Sequence, residues 1–246
     1  TIYFLSSQFI YALEATESKV SQPMHLKWFY PTQFLNEREA AVLGNGTIVI
    51  AQSTLLALDP HGQFLWESQY LDLIATPAVG KDAIYAIGRH GRVHALTFDG
   101  QLKWTSEAAL TPDDVDLTDK HVRLAISEVD GQEYVVLTNG LATDTTIKFT
   151  KVVAINTATK VATTVPVADG QILPQPTVTQ DGDVLFTGMD LVWRWHLSTN
   201  TFDSYDHGTG LQMMVPALLG ANGDLVLIMR GGEIYSFKNK PVIILP

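Results

Sequence analysis

Residues 75–104 read ATPAVGKDAIYAIGRHGRVHALTFDGQLKW, and their pattern decides the fold. Four short apolar runs, Thr76–Gly80, Ala83–Gly88, Arg92–Thr97 and Gln101–Trp104, are separated by Gly80-Lys81-Asp82, Arg89-His90-Gly91 and Phe98-Asp99-Gly100. Each separator supplies Gly or Asp, which accept the positive dihedrals of a tight hairpin, and each run favours extended backbone. The stretch therefore predicts an antiparallel four-stranded meander. A single sheet of this kind buries only one face well, so copies are expected to stack face to face.

The copies are present. Aligned on the second strand, Ile2–Ser6, Ile48–Gln52, Ile84–Gly88, Tyr134–Thr138, Val184–Gly188 and Leu225–Met229 recur at spacings of 46, 36, 50, 50 and 41 residues. Intervals of that size are those of propeller blades rather than of helical repeats. Inner strands are expected at Ala40–Leu43, Thr76–Gly80, Val122–Ser127, Gln175–Thr179 and Pro216–Gly220. Four of the following hairpins carry Asn45-Gly46, Asp130-Gly131, Asp181-Gly182 or Asn222-Gly223, the preferred dipeptides of type I′ turns. Third strands fall at Ile10–Glu14, Leu55–Asp59, Arg92–Thr97, Val152–Asn156, Val192–His196 and Glu233–Phe237. Outer strands are expected near Lys27–Tyr30, Phe64–Glu67, Leu102–Thr105, Val161–Val165, Thr201–Tyr205 and Val242–Leu245. Only Phe34–Ala41 has helix formers in sequence, enough for a turn.

The expectation is an all-β propeller of four-stranded antiparallel blades over residues 1–246. Six blades are visible, and the first lacks its inner strand, which residues before Thr1 are expected to supply. A chain of 246 residues with 46% hydrophobic side chains sustains a large core. Its formal charge of −10 and scattered 16 Lys and Arg oppose nucleic-acid binding. Cysteine is absent, which removes thiol catalysis, disulfides and thiolate metal sites.

Two corners between third and outer strands are more specific: Ala57-Leu-Asp59-Pro-His-Gly62-Gln-Phe-Leu-Trp66 and Ala95-Leu-Thr97-Phe-Asp-Gly100-Gln-Leu-Lys-Trp104. Ala12-Leu-Glu14 with Trp28 has the same form with a longer turn. These corners resemble the tryptophan-docking repeat of the quinoprotein, or pyrroloquinoline quinone-like, β-propellers. The packing reading is that small Ala leaves a slot which a Trp from another blade covers while its N–H reaches a backbone carbonyl. In the second half the Ala position is Ala154, then Arg194, then Ser236, and the Trp position is assigned to Thr164 and to Ser204 or Tyr205. Blades four to six are therefore expected to pack differently, with Trp193 and Trp195 on the positions of His94 and Leu96.

The resemblance implies a non-enzymatic member. Quinoprotein dehydrogenases of this design need a calcium or lanthanide ion, an aspartate base and often a cysteine pair, so no catalytic residue, metal or cofactor is carried over. It implies protein partners, a scaffold role and an extracytoplasmic place in the bacterial cell envelope. Trp193, Arg194 and Trp195 are the alternative, a small-molecule or glycan site, although strand aromatics usually belong to cores; a cut-down pyrroloquinoline quinone-dependent dehydrogenase is the second alternative. Asp113, Asp114 and Asp116, in a run that reaches Asp119, are the densest carboxylates but lack the glycine turn and final Glu of a calcium loop. His90 and His94 are four apart, a metal spacing on a helix but not across a hairpin. Asn45-Gly46-Thr47 fits a glycosylation sequon and equally a hairpin turn. Three stretches, Gln33–Glu39, Glu107–Lys120 and Leu141–Lys151, exceed hairpin length and are the expected recognition loops.

Overall fold

A computed structural model describes residues 1–14, 25–32, 40–109, 122–142, 147–166, 176–187, 191–206, 217–220, 223–228 and 232–237. These residues form 22 strands and no helix. They fall into two compact units, Thr1–Glu107 and Ala108–Pro246, each built of three successive antiparallel sheets.

In the first unit, sheet one contains β1 (Ile2–Leu5), β2 (Phe9–Leu13) and β3 (Leu26–Pro31). Sheet two contains β4 (Ala40–Val42), β5 (Ile48–Ala51), β6 (Leu55–Leu58) and β7 (Phe64–Glu67). Sheet three contains β8 (Ala78–Val79), β9 (Ile84–Ile87), β10 (Arg92–Leu96) and β11 (Leu102–Ala108). In every sheet the strand order follows the chain. Sheet one starts on what is the second strand elsewhere, as the repeat alignment predicts.

In the second unit, sheet four contains β12 (Arg123–Val129), β13 (Gln132–Ala142), β14 (Ile147–Asn156) and β15 (Ala162–Pro166). Sheet five contains β16 (Thr177–Val178), β17 (Val184–Thr187), β18 (Leu191–His196) and β19 (Thr201–Asp206). Sheet six shows β20 (Leu218–Leu219), β21 (Leu225–Ile228) and β22 (Ile234–Phe237). Its expected outer strand, Val242–Leu245, lies outside the described residues, and so does most of the expected turn at Phe34–Ala41, whose last two residues open β4.

The second strand of sheet two, β5, is apolar at every position because both of its faces are covered. In β5, Ile48 and Ile50 pack with Ile10, Leu56 and Leu58 against Trp28 and Tyr30 of sheet one. Val49 and Ala51 point the other way and pack with Leu55 and Ala57 against Ile84, Ala86 and Leu96 of sheet three and Leu73 of the segment before it. All four β5 residues are 0% exposed, and burying each Ile contributes on the order of 2–3 kcal/mol. In the second unit, Val136, Val152 and Ala154 of sheet four meet Val184, Phe186 and Trp195 of sheet five. Val192 on the opposite face of sheet five meets Ala217 and Leu227 of sheet six.

One expected loop is largely ladder. β13 and β14 run on past Thr138, pairing Leu141 with Lys148 and Ala142 with Ile147 after a bulge at Gly140/Leu141. Residues 143–146 alone separate them. The Thr, Ile and Phe content of Leu141–Lys151 favours extended backbone, so most of this insertion continues the sheet.

Candidate functional site

In the first unit the sheets are joined by indoles. Trp28 lies directly opposite Ala12 in sheet one, and Trp66 directly opposite Ala57 in sheet two. Each then reaches the corner turn of the following sheet. The Trp28 Nε1–H donates to the Pro60 carbonyl at 2.9 Å, and the Trp66 Nε1–H to the Phe98 carbonyl at 3.1 Å. A Cβ on Gly62 would stand 2.6 Å from Trp28 Cδ2, and one on Gly100 would stand 2.5 Å from Trp66 Cε3. Both glycines hold positive φ, +82° and +85°, a region in which side chains are strained.

This corrects the packing reading of the sequence. Ala does not receive the Trp of another blade; it is the cross-strand partner of its own, and its small size lets the ring lie flat across the strand. The receiver is the corner glycine of the next sheet, five residues after that sheet's own Ala: Gly62 after Ala57 receives Trp28, and Gly100 after Ala95 receives Trp66. Trp104, the third residue of the set, has its ring 5.8 Å from Tyr85 in its own sheet.

The second unit is joined differently, and its register corrects the expected positions. The residue opposite Ala154 is Thr163, not Thr164, and the residue opposite Arg194 is Asp203, neither Ser204 nor Tyr205. The Ala–Trp pair thus becomes an Arg–Asp pair in sheet five. Trp193 and Trp195 fall where expected, opposite Phe186 and Val184. Trp195 is 1% exposed and stacks on Phe202 at 5.5 Å, while Trp193 stacks on Phe186 at 6.0 Å. The Trp195 N–H donates to Asn200 Oδ1 at 3.1 Å, within the same sheet. With one indole enclosed and Arg194 on the opposite face of the strand, Trp193, Arg194 and Trp195 do not converge on a ligand pocket.

Alternation along β18 makes sheet five two-faced. Trp193 and Trp195 turn to sheet four, whereas Val192, Arg194 and His196 turn to sheet six. The charged face carries the densest ionisable cluster among the described residues. Arg194 Nε–H donates to Asp183 Oδ2 at 2.7 Å, and the second guanidinium nitrogen Nη2 also contacts that oxygen. His196 places Nδ1 3.0 Å from the same Asp183 oxygen and Nε2 2.8 Å from Asp203 Oδ2. The Asp183 side chain is 9% exposed, so Arg194 and His196 offset its desolvation. The sequence reading missed this cluster because its members lie on three separated strand segments. Counting nine residues from the Ala position, as in Ala57 to Trp66, would have found Arg194 with Asp203.

The other candidates separate. His90 is exposed in a turn, while His94 is half-buried on β10 with Nδ1 3.0 Å from Thr105 Oγ1, so the two do not form a metal pair. Burial, and secondarily the Arg92 charge, lowers the His94 pKa below its ordinary value. Asn45 Oδ1 accepts the Thr47 N–H at 3.0 Å and Gly46 holds φ +86°, the geometry of the turn reading. Asp113, Asp114 and Asp116, with 33–39 and 110–121 of the expected loops, lie outside the described residues. No grouping of three or more metal-ligating side chains occurs among the described residues.

Among the described residues, exposed aromatic side chains of the first unit include Phe4 at 56%, Phe29 at 56%, Phe64 at 53%, Phe98 at 43% and Tyr70 at 69%. Phe64 and Phe98 flank the seat of Trp66, one two residues before it and the other supplying its carbonyl acceptor.

The fold has solved counterparts. BamB from Moraxella catarrhalis is similar at a TM-score of 0.54 and 16% identity, over 94% of this chain and 67% of that one. The WD40 domain of Neurospora crassa Pan2 gives a TM-score of 0.67 and 15% identity, over 99% and 74% respectively. A protein of unknown function from Bacteroides caccae gives 0.50 and 14%, over 87% and 86%. No family model and no curated protein sequence matches the chain. The chain is an all-β propeller of antiparallel blades, and four of the six sheets among the described residues are four-stranded.

Proposed function

We propose that this propeller is a non-catalytic, protein-binding scaffold of the pyrroloquinoline quinone-like repeat type, working outside the cytoplasm. The carrying observation is the set of exposed aromatic rings on the first unit, above all Phe64 and Phe98 beside the Trp66 seat. Rigid aromatic side chains offer large contact area at small entropic cost, and exposed apolar groupings of this kind mark protein interfaces. The Ala–Trp–Gly corners support the repeat type, and the extracytoplasmic placement follows from that resemblance. No chemical step is assigned to the charged cluster of sheet five, whose donors and acceptors are engaged with one another.

Site-specific photocrosslinking tests this reading. A photoreactive phenylalanine analogue at Phe64 or Phe98, in cells of the source organism, is expected to yield a discrete adduct with one envelope protein. The same analogue at exposed Lys81 serves as the control. Absence of an adduct at both aromatic positions, or equal labelling from position 81, overturns the proposal.

A further inference from the structure

Three Asn-Gly pairs occur in the sequence, Asn45-Gly46, Asn139-Gly140 and Asn222-Gly223, and they meet different backbones. Asn139 lies in the ladder of β13 opposite Lys151, with Pro166 of β15 beyond it, and Gly140 pairs with Thr150. Asn222 lies outside the described residues. Asn45 is exposed at the tip of the hairpin between β4 and β5. Its Oδ1 accepts the Thr47 N–H at 3.0 Å, a bond to the second residue on that folds the side chain over the Gly46 peptide. The Gly46 N–H donates to the Leu43 carbonyl at 2.8 Å, a bond at a surface turn, where local opening is least costly. We propose that Asn45 deamidates spontaneously in the folded chain and that the isoaspartyl product loosens the seat of Trp28.

The step needs water and no other reactant. After releasing its proton, the Gly46 backbone nitrogen attacks Asn45 Cγ. The new N–Cγ bond closes a succinimide, the Cγ–Nδ2 bond breaks, and Nδ2 leaves as ammonia with a proton returned from solvent. The Thr47 N–H stands where negative charge gathers on Oδ1 during the attack. Water then opens the ring at either carbonyl. One opening gives aspartate, whose carboxylate can keep the Thr47 bond and which already precedes glycine in Asp130-Gly131 and Asp181-Gly182. The other gives isoaspartate, which routes the main chain through Cγ and adds a methylene to the turn. Gly46 lies so close to Pro60 that a Cβ on it would stand 2.9 Å from Pro60 Cγ. An added main-chain carbon therefore presses on Pro60 or lifts the hairpin away from it. Pro60 supplies the carbonyl that accepts the Trp28 Nε1–H, so the change reaches the contact between sheets one and two. At Asn139 the same attack requires β13 and β14 to part.

Ageing the full chain in mildly alkaline buffer, followed by acidic digestion and mass spectrometry, tests the reaction. Asn45 should acquire the amide-to-acid mass change several-fold faster than Asn139, and the product should accept methyl groups from S-adenosylmethionine through protein isoaspartyl methyltransferase. An Asn45 that stays intact, or that reacts no faster than Asn139, overturns the proposal. Denaturant unfolding tests the consequence. The drop in midpoint on ageing should be larger in wild type than in Asn45→Ser, which cannot cyclise there, and fresh Asn45→Asp should match fresh wild type. In Trp28→Phe, where the bond to Pro60 is already gone, the same isoaspartate content at 45 should lower the midpoint by clearly less. An equal drop in both backgrounds, or none in wild type, sinks the link to the Trp28 seat.

Discussion

The two halves of the chain solve one problem in opposite ways. Every blade must hold its neighbour, and in the first unit an apolar ring from one sheet enters the glycine corner of the next, so its hydrogen bond crosses the gap. In the second unit the indole bond stays inside sheet five, from Trp195 to Asn200. The equivalent cross-strand position holds Arg194 and Asp203, of which Arg194 pairs with Asp183 and Asp203 contacts His196. The difference resides in a single register position: opposite Ala57 stands Trp66, and opposite Arg194 stands Asp203. A small residue lets its partner lie flat and project outward, whereas Arg fills that space and retains a carboxylate beside it. The indole contact joins two sheets, whereas the charged cluster braces sheet five internally and leaves its contacts with sheets four and six to apolar side chains.

The sharpest way to break this contrast is Trp66→Ala. The substitution removes half-buried indole area together with the bond to Phe98, and large-to-small changes at such sites cost about 3 kcal/mol. Gly100→Ala attacks the same seat from the receiving side, because its Cβ would overlap the ring and its φ of +85° strains any side chain; about 2 kcal/mol is expected. Denaturant unfolding of each variant and of the pair checks this. Both act on one contact, so the double variant should lose clearly less than the two single losses added together. Additive losses would mean that the ring and the glycine do not form a joint.

The counterpart in the second unit is Arg194→Ala. Asp183 is nearly buried, and losing a cation leaves its charge poorly compensated, but Arg194 is itself about one-third exposed and water can replace part of it. About 1–2 kcal/mol is expected, which is less than for Trp66. Raising the salt concentration should narrow the gap between wild type and Arg194→Ala while leaving the Trp66→Ala gap in place. Equal salt responses would erase the distinction between the indole contact and the charged cluster.

Much of this organisation was legible before any coordinates. The strands announced themselves because turn chemistry is local: Asn-Gly and Asp-Gly mark hairpins whatever surrounds them, and β-branched runs fill the intervals. The corner pattern also named Trp28 and Trp66 as fasteners, but it assigned the wrong receiver. Residue types reveal that a ring needs a seat, whereas only sheet register shows that Ala12 and Ala57 sit opposite their own Trp. The charged cluster was hidden for a related reason. Asp183, Arg194, His196 and Asp203 come together through strand pairing, and no contiguous string of residues carries that information. The alternation Trp193, Arg194, Trp195, His196 did hold half of it, since period two puts the rings on one face and the charges on the other.

The smallest expected effect sharpens the comparison through a position shared by both halves. His94 in sheet three occupies the site that Trp193 holds in sheet five, so one unit places a titratable ring where the other places a purely apolar contact. Gly88 makes room for it, since a Cβ there would stand 2.9 Å from His94 Nε2. Burial lowers the His94 pKa, with the Arg92 charge adding to it, so the folded chain resists the proton that the unfolded chain accepts. The contribution is intact above the ordinary imidazole range, about pH 6.5, and declines as pH falls below it. His94→Asn should therefore flatten the acid limb of the Tm against pH curve by a degree or two while changing the neutral plateau little. If His94→Asn steepened the acid limb instead, burial would not govern that ring, and the structural equivalence of the His94 and Trp193 positions would carry no energetic meaning.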